Sequence, residues 1–563
     1  MALRAVLVTG GEPSYGRQVD EFSARYADLL TSSYDCVDRV VLNAYSLGHN
    51  PGGFRTWWRR LHDGSDEQLD NTHLMRMAGR FTRRVKAWGA ANAVPVIFCK
   101  KGERKHLIAE QYLATHQVVE PGVFLVLVAK APATVWKVKR SPNGLITNLE
   151  KKSEYVNHYS FHLIDPDWGH VTIKMSGHPP FGAQVLLNGH EFVACQARRA
   201  GLSFSKDGNC FTAVTDPAGL AQIADALSQP GAVGRLGQVC ERWIYTACLC
   251  FGLGLDEQRR SGFGYGYAIY QVEYSRNLLF GSGALMQQLF DRVVDRTHRR
   301  LDVPAVRTIF GAKTRPYHNR VGASTIEAVI ETPRYDLTWF NLALGRLAVK
   351  AYTKGEHVLR FEATAHNTKD LKVGRALDKF PQIVARLAGI ADRFCTAVDC
   401  VDTSFLTDGT LDQLPQPSRI GAVRVGGVDL NNPRTRDALA ALLALSQAPD
   451  GFTVGQLAAK VHTMTGRAYT VRQAAYDLRK IRGKQLLDKP GRGRRYHLPT
   501  EAARTIAALL TLRDHVIAPI LAGVRSPRPG RKPVTWTAVD RDYEQIRISM
   551  HALFDNLGIN TAA

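Results

Sequence analysis

Two stretches of this sequence carry side chains suited to breaking a phosphodiester bond. The first is Asp165-Pro-Asp167-Trp-Gly, with His170, His190 and Glu191 close behind it. Carboxylates held together bind a divalent cation such as Mg2+ for that reaction, which makes Asp165, Asp167 and Glu191 candidate metal ligands and Asp167 a candidate catalytic group. Asp-Pro-Asp is also good turn chemistry between the alternating runs 159–164 and 170–175, and both readings stand at this point. The second stretch is 346–366. Read as a hairpin closed by Gly355-Glu-His, it puts Val349, Ala351, Leu359 and Phe361 on one face. Lys350, Tyr352, Arg360 and Glu362 fall on the other, Lys350 across from Glu362 and Tyr352 across from Arg360. A tyrosine there can form a covalent phosphotyrosyl link, with Arg360 neutralising the phosphate and Glu362 orienting Lys350 or a metal-bound water. A plain cross-strand ion pair on a half-exposed sheet is the alternative.

Residues that would hold nucleic acid are more numerous. In the helical pattern 72–91, Leu74, Ala78, Phe81, Val85 and Trp88 form the apolar stripe. Arg76, Arg80, Arg83 and Arg84 share another face, where they repel one another unless an anion lies against them. Just before it, basic and aromatic residues interleave around Trp57 and Trp58, as on surfaces that stack bases. Between 431 and 498 three helical patterns follow one another, opened by Asn432-Pro433 and by the capping boxes Thr453…Gln456 and Thr470…Gln473. The third turns Val471, Ala474, Ala475, Leu478 and Ile481 inward. Arg472, Gln473, Tyr476 and Arg479 face out, and Arg reads guanine as Gln reads adenine in the major groove. Arg492, Arg494 and Arg495, in the turn-rich strand pair that follows, suit phosphate or minor-groove contacts. Ten Lys/Arg stand between 467 and 495 against Asp477 and Asp488.

Three helices and a basic hairpin in this order resemble the winged helix-turn-helix DNA-binding domains, the MarR-like regulators among them. The order Y-x-K, turn, R-x-E at 350–362 resembles a hairpin of the rolling-circle replication initiators of small plasmids and filamentous phages. That resemblance implies nicking of DNA through a tyrosine, here Tyr352, with a bound divalent metal. As a whole the chain looks similar to large uncharacterised bacterial proteins that end in such a winged helix.

The elements that must position these groups indicate a multidomain α+β protein: an N-terminal α/β region, a β-rich middle and a C-terminal winged helix-turn-helix. The expected segments are 1–145, 146–230, 231–410 with the hairpin 346–366, 428–500, and C-terminal helices over 501–563. At 563 residues and a net charge of +22, the chain is long enough for several cores and too basic to lack a polyanionic partner. No apolar run approaches the ~20 residues of a membrane span. Nine cysteines without a C-x-x-C pair indicate reduced thiols and a cytoplasmic, nucleoid-associated setting. The loop 11–18 departs from the phosphate-binding pattern at both residues that would touch phosphate and metal, and reads as a turn. Val539, Tyr543, Ile546, Met550, Leu553 and Leu557 recur at near-heptad spacing, which suits a homodimer or docking on the core. The expectation is a DNA-binding protein that nicks or cleaves DNA for a mobile element, with Mg2+ or a similar ion. A non-enzymatic transcriptional regulator is the first alternative and an RNA-binding protein the second.

Overall fold

The structure, a computed structural model, describes residues 21–100, 102–286, 338–344, 346–355, 357–402, 410–446, 451–491 and 493–518, with isolated positions elsewhere. The loop 11–18, Arg492, the linker 526–533 and Val539, Tyr543, Met550, Leu553 and Leu557 lie outside the described residues. Two compact units divide the chain, one of Met1–Gln287 with Glu327–Asp392 and one of Gln288–Ile326 with Arg393–Ala563.

The first unit is built on one sheet. Its strands are β1 (Leu30–Ser46), β2 (Val96–Phe98), β3 (Gly122–Arg140), β4 (Ile146–Asp165), β5 (Gly169–Ser176), β6 (Ala183–Asn188), β9 (Tyr265–Phe280), β10 (Thr338–Leu344), β11 (Leu347–Lys354) and β12 (Val358–Ala365), with β7 (Phe204–Asp207) and β8 (Cys210–Val214) forming a separate hairpin. They lie in the order β10-β11-β12-β9-β1-β6-β5-β4-β3-β2. Among the described residues only β2 and β3 pair in parallel. The architecture is mixed α+β, as the alternation of helical and strand periods indicates. The expected boundaries at 145 and 230 do not divide it. The first falls inside the β3–β4 hairpin, and β1 pairs with β6 on one side and β9 on the other. Each segment alone would leave long strand edges unpaired, and joining them removes those edges.

Strict alternation along the strands gives the sheet two different faces. On one, Val40, Leu42, Phe161, Leu163, Val171, Ile173, Val185 and Leu187 are buried. Phe81, from the helix Asn71–Ala91, closes on that face with its ring 4.5 Å from Tyr159, and Phe251 stacks 5.7 Å from Phe161. The other face carries Ser160, His162, Thr172, Lys174, Gln184 and Asn188 from the same strands. A one-residue slip in any strand would exchange the two sets, so the pattern pins the register.

Trp57 and Trp58 are both core. They lie in the helix Pro51–Leu61 and are buried against each other, Phe54 and Phe263. Adjacent helix positions diverge by about 100°, and here apolar partners cover both directions. The stacking platform expected of an RNA-binding surface is therefore absent at these two positions.

In the second unit, the helices Pro433–Leu445, Val454–Thr465 and Val471–Gly483 share a core with Thr500–Thr511 through Leu439, Leu442, Leu457, Leu478, Ile506 and Leu509. Both capping boxes form, and Asn432 accepts from the Arg434 amide. Phe452–Thr453 pairs with Arg495–Tyr496, and Asp488 exchanges backbone hydrogen bonds of 2.8 and 2.9 Å with His497. Asp477 does not belong to the solvated face. It is buried, and accepts from Tyr469 at 2.9 Å and Arg434 at 3.1 Å, tying the third helix to the first. Val471 is 57% exposed rather than inward, because it sits in the first turn, beyond the stripe Ala474, Leu478 and Ile481.

Candidate active site

The polar face of the first unit's sheet collects its ionisable groups where β1, β9, β12 and β11 lie side by side. Ser275 is registered with Glu362, Asn277 with Arg360, Glu362 with Lys350 and Arg360 with Tyr352. The sequence-expected pairing of this hairpin is thus the one found, with its loop at 355–357 and Gly355 at φ 57°. The face is not half-exposed, however. Every residue of β12 is buried, Phe361 against Phe22 on the apolar side.

Arg360 is wholly buried and fully engaged. Its Nε donates to Asn277 at 2.7 Å, Nη1 to Asp38 at 3.2 Å and Nη2 to the Asn209 carbonyl at 2.7 Å. A guanidinium shut away from solvent and already paired with a carboxylate cannot reach a phosphate, so the expected phosphate-neutralising role is corrected to that of a structural countercharge. Asp38 takes three partners: Arg360, the Ser275 hydroxyl at 3.0 Å and, at 2.6 Å, His190 Nδ1. Burial opposes the charge on Asp38, but Arg360 and His190 outweigh it and hold the carboxyl below its usual range. Burial keeps His190 below its ordinary proton affinity against the pull of Asp38.

His190 reaches this position through two local features. Asn188 accepts from the His190 amide at 2.9 Å and starts the helix Gly189–Arg199 at the end of β6. Gly189 lies so close to β1 that a Cβ there would sit 1.7 Å from the Val37 carbonyl oxygen. Asp38 escaped sequence analysis because its partners stand 152 and 322 residues away. The available signal was the run Tyr34, Cys36, Asp38, which puts an acid at period two just before the apolar stretch Val40-Val41-Leu42.

Cys36, Asp38 and His190 bring three possible ligand atoms within 4.8 Å of one another. The guanidinium of Arg360 already supplies the positive charge beside Asp38, and burial pushes the Cys36 thiol well up, so this trio is poorly suited to a cation.

Toward β11 the face becomes accessible. Tyr352 is half-buried and donates its hydroxyl to Glu362 at 2.7 Å, while Thr364 donates to the other oxygen at 2.9 Å. Burial, and then the charge of Glu362, raise the proton affinity of the Tyr352 phenol. Glu273, on the same face of the neighbouring strand, is pushed up to about 7 by burial and then by Glu362. Two carboxylates thus share this corner, with Arg39 4.0 Å from Glu273.

The other expected metal ligands are otherwise occupied. Asp165 accepts from the Asp167 and Trp168 amides on one oxygen, and from Arg242 at 2.6 Å and Trp243 at 2.7 Å on the other. Asp167 bridges Arg199 and Arg242, and Glu191 pairs with Lys206. Metal binding by Asp165, Asp167 and Glu191, and catalysis by Asp167, would require breaking four ion pairs besides the Trp243 and backbone-amide hydrogen bonds to Asp165. The turn reading of Asp-Pro-Asp accounts for them.

The expected nucleic-acid residues divide similarly. Arg80 is spent on Glu257 at 2.9 Å and the Gly252 carbonyl at 2.6 Å, and Arg84 leans on the same segment, whereas Arg76 and Arg83 are exposed. Internal pairing accounts for Arg80, while Arg76, Arg83 and Arg84 all remain exposed on this face. In the second unit Arg472, Tyr476, Arg479 and Arg494 are exposed. Gln473 is partly committed, its side-chain oxygen capping Thr470 at 2.8 Å, and Arg495 holds the Gly451 carbonyl at 3.2 Å.

No protein-family model matches this chain, and no curated protein or solved structure matches it either. Among the described residues no helix is long and apolar enough to cross a membrane.

Two outcomes follow from this geometry. Gly189→Ala should cost about 1–3 kcal/mol in urea unfolding through overpacking against Val37, whereas Gly234→Ala, which meets nothing within 4 Å in its helix, should be neutral or stabilising. Equal effects would show that the close approach at Gly189 is unimportant. Glu273 binds its proton more tightly folded than unfolded. Its contribution to stability is therefore full below about 4.5 and is lost as pH rises through about 7. Glu273→Gln should flatten the stability profile across that window and raise stability above it, as measured by denaturant midpoints. A profile unchanged by the substitution would contradict this assignment.

Proposed function

We propose that this chain binds DNA and nicks it through Tyr352. The observation that carries the reading is the Tyr352–Glu362 hydrogen bond of 2.7 Å on a sheet face that also bears Glu273. A phenol needs a base within hydrogen-bond reach to act as a nucleophile at neutral pH, and Glu362 stands at that distance. In the step proposed, Glu362 takes the phenolic proton and the Tyr352 oxygen forms a bond to phosphorus. The bond to the leaving sugar oxygen breaks, and Lys350 or water protonates that oxygen. The product is a phosphotyrosyl link that conserves the energy of the cut bond.

Glu273 and Glu362 are the side chains that would hold a divalent cation such as Mg2+. The fit rests on the donor set: two carboxylates on one sheet face whose hydrogen-bond donors, the Tyr352 and Thr364 hydroxyls and the Gln271 amide, are neutral, with Arg39 no nearer than 4.0 Å. When bound, such an ion supplies positive charge to the phosphate, a role that buried Arg360 does not fill.

The second unit supports the DNA-binding half of this reading. Three helices, with a short strand before the second paired to one after the third and Asp488 bridged to His497, follow the order of a winged helix-turn-helix. In that arrangement the third helix would enter the major groove, with Arg472 and Arg479 on its exposed side. Neither makes an ion pair among the described residues, which leaves both guanidinia available to base edges.

Incubated with labelled single-stranded DNA and Mg2+ or Mn2+, the wild-type chain should form a covalent adduct that survives denaturing electrophoresis. Tyr352→Phe should abolish it, Glu362→Gln should slow it by about 10²-fold or more, and Asp167→Asn should leave it intact. An adduct in Tyr352→Phe would place the nucleophile elsewhere. Duplex binding with no adduct under any divalent metal would leave a non-enzymatic regulator as the reading.

Arg479→Ala should weaken binding to a preferred duplex by about 1–3 kcal/mol and spare random DNA, measured by competition binding. Arg494→Ala should weaken both alike and lower the salt slope by about one unit. Indistinguishable effects of the two would contradict the recognition-helix assignment.

A further inference from the structure

A cleft of about 1280 Å³ opens on the polar face of the first unit's sheet, beside the corner that holds Glu273. Its volume exceeds the roughly 300–1,000 Å³ of small-ligand pockets. Arg39, Lys105, Lys174 and Lys354 line it. The acids in its wall do not balance them. Asp38 is spent on Arg360, Asp165 on Arg242 and Glu191 on Lys206, and Glu273 holds its proton up to about 7, which leaves Glu110, exposed on the helix Lys105–His116, against five Lys and Arg once Arg198 is added. Lys174 stands on β5 between the Ser160 and Gln184 positions of the neighbouring strands, with no carboxylate paired to it among the described residues. Burial first, and then Lys105 and Arg39, make its ammonium harder to charge. Like charges gathered in a half-buried wall are costly unless an anion lies among them.

A second, independent feature points the same way. His162 is 4% exposed, lines the cleft, and has no hydrogen-bond partner at Nε2 among the described residues. Its Nδ1 lies 3.1 Å from His170 Nε2 and 3.2 Å from the Thr172 hydroxyl, while burial and neighbouring positive charge drop its proton affinity to about 3. The ring is therefore neutral, and an unmet polar nitrogen at that depth calls for a ligand atom.

We propose that this cleft takes the phosphodiester backbone of a single DNA strand, with Lys174, Lys105 and Arg39 on its phosphates and His162 Nε2 as an uncharged hydrogen-bonding contact. A polyanion of several nucleotides matches both the size and the charge of the site, and single-strand grooves bind backbone in this way. The inference deepens the nicking reading and rests on it only for the direction of the strand, toward Glu273 and Tyr352.

The test uses the full chain and a fluorescein-labelled oligothymidylate of about fifteen nucleotides, followed by anisotropy across a salt series. Lys105→Gln with Lys174→Gln should weaken binding about tenfold or more and reduce the salt slope by about 1.4, two released counterions' worth on single strands. Arg472→Ala with Arg479→Ala should leave this binding intact. Because Lys174 is half-buried, acetylation footprinting of the wild-type protein provides a second readout, in which the oligonucleotide should shield Lys105 and Lys174. Unchanged affinity and slope together with no shielding would overturn the proposal. Shielding by pyrophosphate but not by the oligonucleotide would overturn it too, in favour of a small-anion site. Shielding in a protein that forms no covalent adduct would support the cleft while removing the nicking reading.

Discussion

The contact between the Arg360 guanidinium and the Asp38 carboxylate governs the polar side of the first unit. Both groups are almost completely buried, and an isolated charge at that depth costs several kcal/mol. Neither can be there without the other, and the pair also requires Asn277, Ser275, His190 and the Asn209 carbonyl to satisfy its remaining valences. These groups come from β1, β9, β12, the helix after β6 and the β7–β8 turn. A single ionic contact therefore fixes the relative position of five segments that are distant in sequence.

That constraint also explains why chemistry is concentrated at one end of the face. Around Arg360 the charges are paired and solvent is excluded. Two residues further along β12, Glu362 faces the half-buried Tyr352 and shares its surroundings with Glu273. The buried network acts as a floor that holds β12 and β9 in register, so that two carboxylates and a phenol are kept together despite their mutual repulsion. Across β1, the same face continues into the basic wall of Lys174 and Lys105, giving one surface with acidic and cationic ends.

Local information was well expressed in the sequence. The hairpin at 346–366, its loop and its cross-strand partners follow from alternation and a glycine turn, and the two capping boxes of the second unit from four residues each. What failed was anything decided by distant packing. Asp165 and Asp167 have the composition of a metal site, but Arg199, Arg242 and Trp243 arrive from elsewhere and consume them. Arg360 has the composition of a phosphate clamp, yet Asp38 lies 322 residues away and buries it. In the arginine row at 76–84, Glu257 and the Gly252 carbonyl take Arg80 out of the anion surface and leave the other three exposed. In each case the residue type signalled that a counterion was needed, and only the fold determined whether that counterion was internal.

The claim that Arg360 and Asp38 act as one unit is tested most directly by a double-mutant cycle on unfolding free energy. Asp38→Asn and Arg360→Met should each destabilise by about 3–5 kcal/mol, because each leaves a buried charge unpaired. The double variant should be much less destabilised than their sum, with a coupling of about 2 kcal/mol or more. Additive losses would show that the two charges are stabilised independently, and the account of this sheet face would fail.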